Sequence, residues 1–478
     1  MKKVLFAASE CVPFVKTGGL ADVAGSLPKY FDAEKYDVRV MLPKYLCISE
    51  EYREEMEYVT HFYMYYYGRN RYVGVMKLVR DGVTFYFIDN EEYYSGNSPY
   101  SDHLYDLEKF GFFSKACLSV LPSIGFRPDI IHCHDWHTGL IPVYLKTVFA
   151  ADEFYNGIKT IITIHNLRFQ GNYNIDKVKE MTGLPDYLFT SDKLEAYRDA
   201  NYLKGGLVYS DYITTVSETY TEEIKTPFYG EKLDGLLWAR SNSLKGILNG
   251  LDYDEWNPET DEFIAQKFSV KTFRDGKKKN KLALQRELGL NQDAGTMMVG
   301  IISRLTDQKG FDLIQRVMEE LVAEGIQFVV LGTGEWKYEE LFKSYAGRFP
   351  GQISANIFYS NALSHRIYAS CDAFLMPSLF EPCGLSQLMS LRYGTLPIVR
   401  ETGGLKDTVI PYNMFDNTGT GFTFTNYNAH EMLDTVRRAK ELFTDNKRRW
   451  NQMCERGMKC DYSWNASAKK YEELYDQL

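Results

Sequence analysis

The sequence lacks any pair of cysteines spaced for a metal site or a compact disulfide framework. Eight cysteines are spread over 478 residues, and none belongs to a CxxC motif. A chain of this length is also too long for a small disulfide-stabilised scaffold. We therefore expect reduced thiols and a cytoplasmic protein.

Long apolar runs are missing as well. No stretch reaches the roughly 18 apolar residues that a membrane-spanning helix requires, so no membrane partner is expected. The amino-terminal MKKVLFAA has two lysines before a short apolar run, as a signal peptide would. That run is too short and too mixed for a signal, and residues 4–8 are better interpreted as a first buried strand.

Basic residues are fewer than acidic residues. The chain has 55 Lys and Arg against 64 Asp and Glu, which gives a net charge of −9. A duplex-binding protein normally shows a basic face or stripe. The longest basic run, at 274–281, is interrupted by Asp275, Gly276 and Asn280. A solvated loop or helix start explains it better than a nucleic-acid site, so no nucleic-acid partner is expected.

What the sequence does contain is an alternation of short apolar runs with longer amphipathic stretches. With 45% hydrophobic residues, the chain can bury large cores. Apolar runs separated by helical segments are typical of parallel sheets covered on both faces. The runs lie at residues 4–8, 38–42, 83–88, 130–132, 160–164 and 212–216 in the first half, and at 298–302, 328–331, 373–376 and 396–399 in the second.

These two groups of strands predict an α/β protein with two doubly wound domains. We place the first domain at residues 1–243 and the second at 244–455, with the seam just before a strand-like segment and the turn at Asn249. The last segment, 456–478, is predicted to contain a helix that packs back on the first domain.

Glycine-rich turns follow several of these strands, where doubly wound sheets bind their ligands. The first turn contains Lys16, Gly18, Gly19 and Asp22. Its glycines let the backbone approach a ligand closely, and the next helix would present N–H groups to an anion. Phosphate binding and a plain tight strand–helix connection both fit this turn. It is not GxGxxG, which counts against a dinucleotide site.

A second turn carries Arg304 and Lys309. Two cations at a strand end suit a diphosphate, whose charge must be neutralised when it leaves. A surface ion-pair arrangement is the alternative. A turn with Thr402, Gly403 and Gly404 repeats the Thr-Gly-Gly-Leu of the first turn. Two such domains facing each other would form a cleft suited to a nucleotide sugar.

Seven short motifs follow one another along the chain in the order found in one known family, which they resemble. Each is weak alone, but the ordered set spans nearly the whole chain and is highly specific. The set resembles the bacterial glycogen synthases and plant starch synthases, family 5 of the glycosyltransferases. The motifs are KTGGLADV at 16–23, HDWHTG at 134–139, TIHN at 163–166, NGLD at 249–252, SRLTDQKG at 303–310, FEPCGLSQ at 380–387 and TGGLKDTV at 402–409.

The resemblance implies a GT-B fold, in which two Rossmann-like domains face each other across a cleft. It implies a retaining hexosyltransferase that moves glucose from ADP-glucose to the non-reducing end of an α-1,4-glucan, either glycogen or a malto-oligosaccharide. It implies no metal and no cofactor besides the donor substrate. The preference for ADP over UDP rests on the resemblance alone, and the oligomeric state is not predicted.

By the same resemblance, five residues form the catalytic group. Arg304 and Lys309 match the pair that grips the diphosphate. Glu381 matches the essential acid of the family. Asp135 and His165 match polar residues that hold the donor glucose.

Further motif residues are assigned to substrate binding by resemblance. Tyr359 matches an aromatic residue that lies against the nucleobase. Two of these residues have a structural role as an alternative to substrate binding. Asn249 begins an Asn-Gly pair that favours a turn, and Cys383 is small enough to be buried in the core. The complete set is Lys16, Gly18, Gly19, Asp22, Asn166, Asn249, Tyr359, Cys383, Gly384, Leu385, Thr402, Gly403 and Gly404.

The position eight residues after Glu381 is Met389. A related family of retaining enzymes has a second glutamate there, so this difference fits the synthases and argues against a two-carboxylate mechanism. No residue of the motifs is an obvious covalent nucleophile. The resemblance therefore implies front-face attack, in which the leaving phosphate takes the acceptor proton.

Three other features have two interpretations each. His134 and His137 flank Asp135 and suggest a metal site, but no further ligand has metal spacing. Trp136 is either a sugar-stacking surface or a core aromatic residue. The Tyr-rich segment at 62–67 is either a glucan-binding platform or a strand buried on one side.

Three rival functions are disfavoured. A transferase that uses UDP-glucose and a small acceptor fits poorly with the KTGGL turn and Met389. A catalytically silent glucan-binding protein would have no need of Lys16, Arg304, Lys309 and Glu381. A dinucleotide-dependent oxidoreductase should show GxGxxG, which is missing.

Overall fold

The computed structural model describes all 478 residues, and the chain divides into two compact units. Unit 1 comprises Met1–Val216, Thr221–Gly250 and Trp464–Leu478, and unit 2 comprises Ser217–Tyr220 and Leu251–Ser463. None of the helices combines the length and the apolar character needed to cross a bilayer.

The first 250 residues contain twelve strands and nine α-helices. The strands are β1 (Lys2–Ala7), β2 (Tyr36–Pro43), β3 (Glu57–Tyr66), β4 (Arg69–Arg80), β5 (Val83–Asp89), β6 (Ile130–His134), β7 (Lys159–Ile164), β8 (Asn172–Asn174), β9 (Glu195–Ala196), β10 (Asp199–Asn201), β11 (Tyr212–Thr215) and β12 (Leu244–Gly246). The helices are α1 (Gly19–Ser26), α2 (Glu50–Glu54), α3 (Glu91–Tyr94), α4 (His103–Val120), α5 (Leu140–Lys146), α6 (Ile175–Thr182), α7 (Tyr202–Tyr209), α8 (Glu218–Glu223) and α9 (Asp234–Ala239).

The remaining residues contain six strands and nine α-helices. The strands are β13 (Met298–Ile302), β14 (Gln327–Leu331), β15 (Ile353–Asn356), β16 (Ala373–Met376), β17 (Leu396–Arg400) and β18 (Phe422–Phe424). The helices are α10 (Phe273–Glu287), α11 (Phe311–Ala323), α12 (Trp336–Arg348), α13 (Asn361–Ser370), α14 (Ser386–Arg392), α15 (Gly403–Thr408), α16 (Ala429–Asp445), α17 (Lys447–Met458) and α18 (Trp464–Gln477).

Unit 1 is built on a nine-stranded sheet in the order β12-β11-β7-β6-β1-β2-β5-β4-β3. The seven strands from β12 to β5 are parallel, whereas β4 and β3 pair antiparallel at one edge. The central strands β1, β6 and β7 are buried over most of their length, as strands covered on both faces should be. A separate three-stranded antiparallel sheet is formed by β8, β10 and β9.

The edge strand β3 contains the Tyr-rich segment. Tyr63 and Tyr65 are largely exposed, whereas Met64 and Tyr66 are buried. This alternation is that of a strand buried on one side.

Unit 2 is built on a six-stranded parallel sheet in the order β15-β14-β13-β16-β17-β18. A continuous apolar core lies between this sheet and its helices and includes Val299, Ile314, Phe328, Phe374 and Ile398. The prediction of two parallel, doubly wound α/β units is confirmed. In this sheet order β13, β16 and β17 are neighbours, so the loops that follow these three strands lie together at the carboxyl edge of the sheet.

Several helices begin and end at residues with a clear local reason. Asp102 accepts hydrogen bonds from the N–H groups of Leu104 and Tyr105 at the start of α4. Asn428 caps α16 in the same way. Gly183 has a φ of 67° and ends α6 in the left-handed conformation that glycine adopts without strain.

The last helix, α18, packs on unit 1. Tyr475 is fully buried, its ring stacks on Phe31 with centroids 5.4 Å apart, and its hydroxyl lies 2.7 Å from Nδ1 of His132. Lys2 donates to the carbonyl of Tyr475 from the first strand. The carboxyl terminus is therefore part of the unit 1 core.

The boundaries of the units lie later than predicted. The first break follows residue 250 instead of 243, because Leu244–Gly246 pairs in parallel with β11 and extends the unit 1 sheet. The second follows residue 463 instead of 455, because α17 runs to Met458, which belongs to the core of unit 2, and the carbonyl of Tyr462 accepts from the N–H of Leu251.

Candidate active site

Three loops meet at the carboxyl edge of the unit 2 sheet. They follow β13, β16 and β17, which are adjacent strands. Gln308 in the first loop donates to the carbonyl of Phe380 and accepts from the N–H of Leu379. The N–H of Gly404 in the third loop lies 3.1 Å from the carbonyls of Glu381 and Pro382. Three of the sequence motifs are thus brought into one structure.

Glycine is required where these loops touch. Gly310 has a φ of 74°, and a Cβ there would lie 2.1 Å from the carbonyl oxygen of Pro377. Gly403 has a φ of 44°, and its Cβ would lie 2.0 Å from the carbonyl oxygen of Glu381. Any side chain at either position would push the loops apart and move the Glu381 segment.

Lys309 and Glu381 form an ion pair at the centre of this loop cluster. Nζ of Lys309 lies 2.6 Å from Oε2 of Glu381, and the two side chains are only 17% and 9% exposed. Ser378 donates from Oγ to the same carboxylate oxygen at 3.0 Å. A short, charge-assisted bond in a mostly buried setting fixes both side chains in place.

Arg304 contrasts with Lys309. Its side chain is exposed, and it makes no side-chain hydrogen bond or ion pair. Lys309 is therefore paired with Glu381 in a mostly buried setting, whereas Arg304 has no such partner. An unneutralised guanidinium at a strand end is available to an anionic ligand.

The rest of the FEPCGLSQ segment leads into α14. Cys383 is buried, and Gly384 has a φ of 72° that turns the chain toward the helix. Leu385 occupies the N-cap position of α14. Thr402 is fully buried at the N-cap position of α15. These residues shape the backbone around Glu381.

Tyr359 lies apart from these three loops. It follows β15, the outer strand of the sheet, and is 80% exposed. Its ring is therefore open to a flat partner, although the structure does not bring it into contact with Glu381 or Lys309.

In unit 1, predicted residues follow the adjacent strands β1, β6 and β7. Asp135 directly follows β6 with φ 56° and ψ −172°, a conformation that is strained for any residue other than glycine. Its Oδ1 accepts a 2.7 Å hydrogen bond from the N–H of His165 at the end of β7. The structure thus brings Asp135 and His165 together.

The carboxyl group of Asp135 is almost entirely buried. Desolvation raises its pKa from 3.8 to about 7, although the N–H groups of His165 and Asn166 act in the opposite direction. A strained, buried carboxyl group with a pKa near neutrality is a feature found at functional sites.

The histidines next to Asp135 are neutral at physiological pH. Burial lowers the pKa of His165 and of His132 to about 3, and it also lowers the pKa of His134. Nδ1 of His134 lies 3.0 Å from Nε2 of His165, so His134 orients the His165 ring. His132 and His134 stack with centroids 4.5 Å apart.

The interpretation of the His residues around Asp135 as a metal site has no structural counterpart, since no three His, Cys, Asp or Glu side chains converge as a metal-binding group. Trp136 is buried, with Phe110 and His137 packed against its ring. It is therefore placed as a core aromatic residue.

The glycine turn after β1 is held by a residue that sequence reasoning missed. Glu10 accepts hydrogen bonds from the N–H groups of Thr17 and Gly18. Both amides precede α1, so Glu10 binds N–H groups of the turn itself and not those at the start of the helix. Lys16 instead forms a 2.7 Å ion pair with Asp22 in α1.

The remaining predicted residues of unit 1 are two asparagines and two glycines. Asn249 is buried, and its Oδ1 has no hydrogen-bond partner. Asn166 uses its side chain to accept from the N–H of Arg168 within its own loop. A Cβ added to Gly18 would meet no atom within 4 Å, and α1 begins at Gly19.

Three further residues belong to these sites: Glu10, its partner Tyr100, and Ser378 beside Glu381. The sequence could have indicated two of them, because Glu10 follows β1 and Ser378 follows β16, and carboxyl ends of strands are where ligands bind in such sheets. It could not have indicated Tyr100, because that residue lies in a loop 90 positions from Glu10.

Comparison with known families gives two matches. The starch synthase catalytic domain matches residues 3–239, and the glycosyl transferases group 1 family matches residues 287–453. A glycogen synthase from Lachnospira eligens is 67% identical over 478 residues, which covers both chains completely. One from Geobacillus stearothermophilus is 50% identical over 476 residues, covering 100% of this chain and 98% of the relative.

Solved structures agree with these matches. The catalytic domain of starch synthase IV from Arabidopsis thaliana, solved bound to ADP and acarbose, has a TM-score of 0.92 at 33% identity and covers 100% of this chain and 99% of that one. Sucrose-phosphate synthase from Thermosynechococcus elongatus has a TM-score of 0.63 at 15% identity, a likeness of fold alone.

Proposed function

Because the chain belongs to the family of bacterial glycogen synthases and plant starch synthases, we propose that it transfers glucose from ADP-glucose to the non-reducing end of an α-1,4-glucan. The predicted family and the predicted GT-B fold class are confirmed. The chain is a glucosyltransferase of this family. The identity of the donor base, the glycogen or malto-oligosaccharide acceptor and the roles of single residues make up the proposal.

The observation that carries the proposal is the charge arrangement at the carboxyl edge of unit 2. Lys309 is fixed beside Glu381 at 2.6 Å, and Arg304 is left without an anionic partner. One free guanidinium and one ammonium can together offset the charge that develops on a departing diphosphate. A donor phosphate that approaches Lys309 competes with Glu381 for the ammonium.

The reaction retains the anomeric configuration in this proposal. The bond between the anomeric carbon and the phosphate oxygen breaks first, and the short-lived cation stays paired with the departing diphosphate. The 4-hydroxyl of the acceptor then forms the new glycosidic bond on the same face, and its proton passes to the phosphate. Glu381 stabilises the positive sugar ring through its carboxylate. Met389 supplies no second carboxylate.

Unit 1 offers a second set of polar groups for sugar hydroxyls. Asp135 and His165 lie together at the ends of β6 and β7, and the neutral imidazole of His165 can both donate and accept. Oδ1 of Asn249 is a buried acceptor without a partner, which suits a hydroxyl donor from a ligand.

One observation supports the choice of adenine over uracil, and a second fits either base. The Arabidopsis relative was solved with ADP. Tyr359 presents an exposed aromatic face at the edge strand of the unit 2 sheet, and stacking on such a face requires only a flat base. The tyrosine alone therefore does not select the base.

A donor-competition assay tests the proposal. Glycogen is supplied with equimolar ADP-glucose and UDP-glucose, each carrying a different isotope in the glucose, and both isotopes are counted in the precipitated glucan. We expect the label from ADP-glucose to dominate by at least about tenfold, which corresponds to about 1.4 kcal/mol of discrimination. Equal incorporation, or dominance of the UDP-glucose label, would overturn the donor assignment.

A further inference from the structure

Glu10 is a buried carboxylate that no catalytic role accounts for. It lies just beyond the carboxyl end of β1 and is 4% exposed. It forms no ion pair, so its charge is stabilised by hydrogen bonds from neutral donors instead of by a counter-ion. Burying a charge is costly unless it is fully hydrogen-bonded, and this arrangement therefore calls for an explanation.

The hydrogen bonds of Glu10 all lead to one turn and one tyrosine. Oε2 accepts from the N–H groups of Thr17 and Gly18. Oε1 accepts from the hydroxyl of Thr17 at 2.9 Å and from the hydroxyl of Tyr100 at 2.8 Å. The carboxylate thus joins the end of β1 to the turn that carries Lys16.

Tyr100 is held beside Glu10 because its two neighbours in the chain are hydrogen-bonded to α4. Lys109 of α4 donates to the carbonyl of Pro99, and Asp106 of α4 accepts from the N–H of Ser101. The two residues on either side of Tyr100 are therefore fastened to α4. The tyrosine ring also stacks on His137 with centroids 5.1 Å apart.

Another backbone hydrogen bond lies at the base of the turn. The N–H of Val12 donates to the carbonyl of Ala21 and holds the base of the loop. A Cβ added to Gly18 would meet no atom within 4 Å, and neither Gly18 nor Gly19 has a side chain to pack. Glu10 therefore ties the amides of Thr17 and Gly18 to the end of β1.

We propose that Glu10 is a positioning residue that holds the Lys16–Gly19 turn in the conformation needed for the donor phosphate. The inference rests on the proposed function and on the family resemblance, which assigns Lys16, Gly18 and Gly19 to substrate binding. Glu10 acts through the reach of its side chain and its four hydrogen bonds, and its negative charge is not required.

Two substitutions separate geometry from charge. In Glu10→Gln the side-chain oxygen can accept from both amides, while its NH₂ group donates to the Thr17 and Tyr100 hydroxyls, which also accept. In Glu10→Asp the charge is kept, but the carboxylate is one methylene too short to reach the turn. Glu57→Gln, at an exposed position of β3, is the matched control.

The experiment measures kcat and KM separately for the nucleotide sugar and for glycogen. We expect Glu10→Asp to raise the donor KM and lower kcat by a combined factor of about 10 to 100, since small misplacements cost this much, and to leave the glycogen KM unchanged. Glu10→Gln should stay within about threefold of wild type. Amide hydrogen exchange in the peptide that covers 15–22 should accelerate in Glu10→Asp only.

The opposite order, with Glu10→Asp active and Glu10→Gln inactive, would assign the role to charge and overturn the proposal. Altered melting temperature with unchanged kcat and KM in both variants would also overturn it, because the role would then be structural only. Lys16→Ala separates this inference from the proposed function. If Lys16→Ala leaves the donor KM unchanged, the turn does not bind the donor; if it raises the KM while Glu10→Asp does not, the positioning role alone is wrong.

Discussion

Nζ of Lys309 lies 2.6 Å from Oε2 of Glu381, and both side chains are largely shielded from solvent. The pair couples two groups with different proposed tasks, one toward the diphosphate and one toward the sugar. Because Ser378 also donates to the same oxygen, Glu381 keeps a partner when a phosphate draws Lys309 away. The ion pair therefore sets both groups in place before the donor arrives.

Arg304 should matter for catalysis and not for stability. Its side chain is exposed and unpaired, so Arg304→Ala removes no native contact. We expect kcat/KM for the nucleotide sugar to fall by about 10²–10³, the usual effect of removing one group that stabilises developing charge. The melting temperature should stay within about 2 °C of wild type.

Arg316→Ala, at an exposed position of α11, is the control for Arg304 and should leave both quantities unchanged. Steady-state kinetics and a thermal melt on both variants check the prediction. A large loss of stability in Arg304→Ala with normal kcat/KM would show that Arg304 is a structural residue.

Gly403 should be intolerant of any side chain. A Cβ at this position would lie 2.0 Å from the carbonyl oxygen of Glu381, so Gly403→Ala must move the Glu381 segment. We expect kcat to fall by about 100-fold and stability to fall by about 1–3 kcal/mol. Gly347→Ala in α12, which meets nothing within 4 Å, should instead stabilise the protein by up to about 1 kcal/mol. Equal effects from the two substitutions, measured by urea unfolding and initial rates, would refute this account of the loop contact.

Asp135 should make stability depend on pH. Burial raises its pKa from 3.8 to about 7, so between about pH 4 and pH 7 the native state keeps a proton that the unfolded chain has lost. The contribution of this group to the free energy of unfolding therefore falls as the pH rises through that window, by about 1.4 kcal/mol per pH unit at most. Asp135→Asn cannot ionise, so it should be more stable than wild type at pH 8 and gain little at pH 4. Urea unfolding at both pH values tests this, and a difference that does not vary with pH would contradict it.

Tyr475 should anchor the carboxyl-terminal helix. Its hydroxyl bonds to His132 and its ring is fully buried against Phe31. We expect Tyr475→Phe to cost about 1–3 kcal/mol, since it leaves a buried imidazole nitrogen without a partner. Tyr475→Ala should cost about 3–5 kcal/mol. Tyr65→Phe, at a largely exposed tyrosine, is the control. Unfolding free energies that do not differ among the three variants would mean that α18 is not held in this way.

The parallel sheets could be predicted from the sequence because each buried strand is a short apolar run. The runs at 298–302 and 373–376 coincide with β13 and β16. β12 was assigned to the wrong side of the seam, because its pairing with β11 is a contact between distant segments that local composition does not record. The antiparallel β8–β10–β9 sheet escaped prediction because its strands have only two or three residues.

Some residues of the candidate site could likewise be predicted from the sequence, and others could not. Glycine and charge motifs after strands led to Arg304, Lys309 and Gly403, which the structure places at adjacent strand ends. The pairing of Lys309 with Glu381 was not predictable, since the two belong to different motifs and meet only in the folded loops. Glu10 was missed because it lies outside the KTGGLADV motif, and its contact with the amides of Thr17 and Gly18 forms only in the folded turn.

The most direct test of the central claim compares glucose incorporation by wild type, Glu381→Gln and Glu441→Gln. Radiolabelled ADP-glucose and glycogen are supplied, and binding of each protein to glycogen is measured in parallel. The account predicts that Glu381→Gln binds glycogen normally but loses about 10²–10³ in kcat, whereas Glu441→Gln, at an exposed position of α16, behaves as wild type. Unchanged incorporation by a folded Glu381→Gln variant would contradict the assignment of the active site.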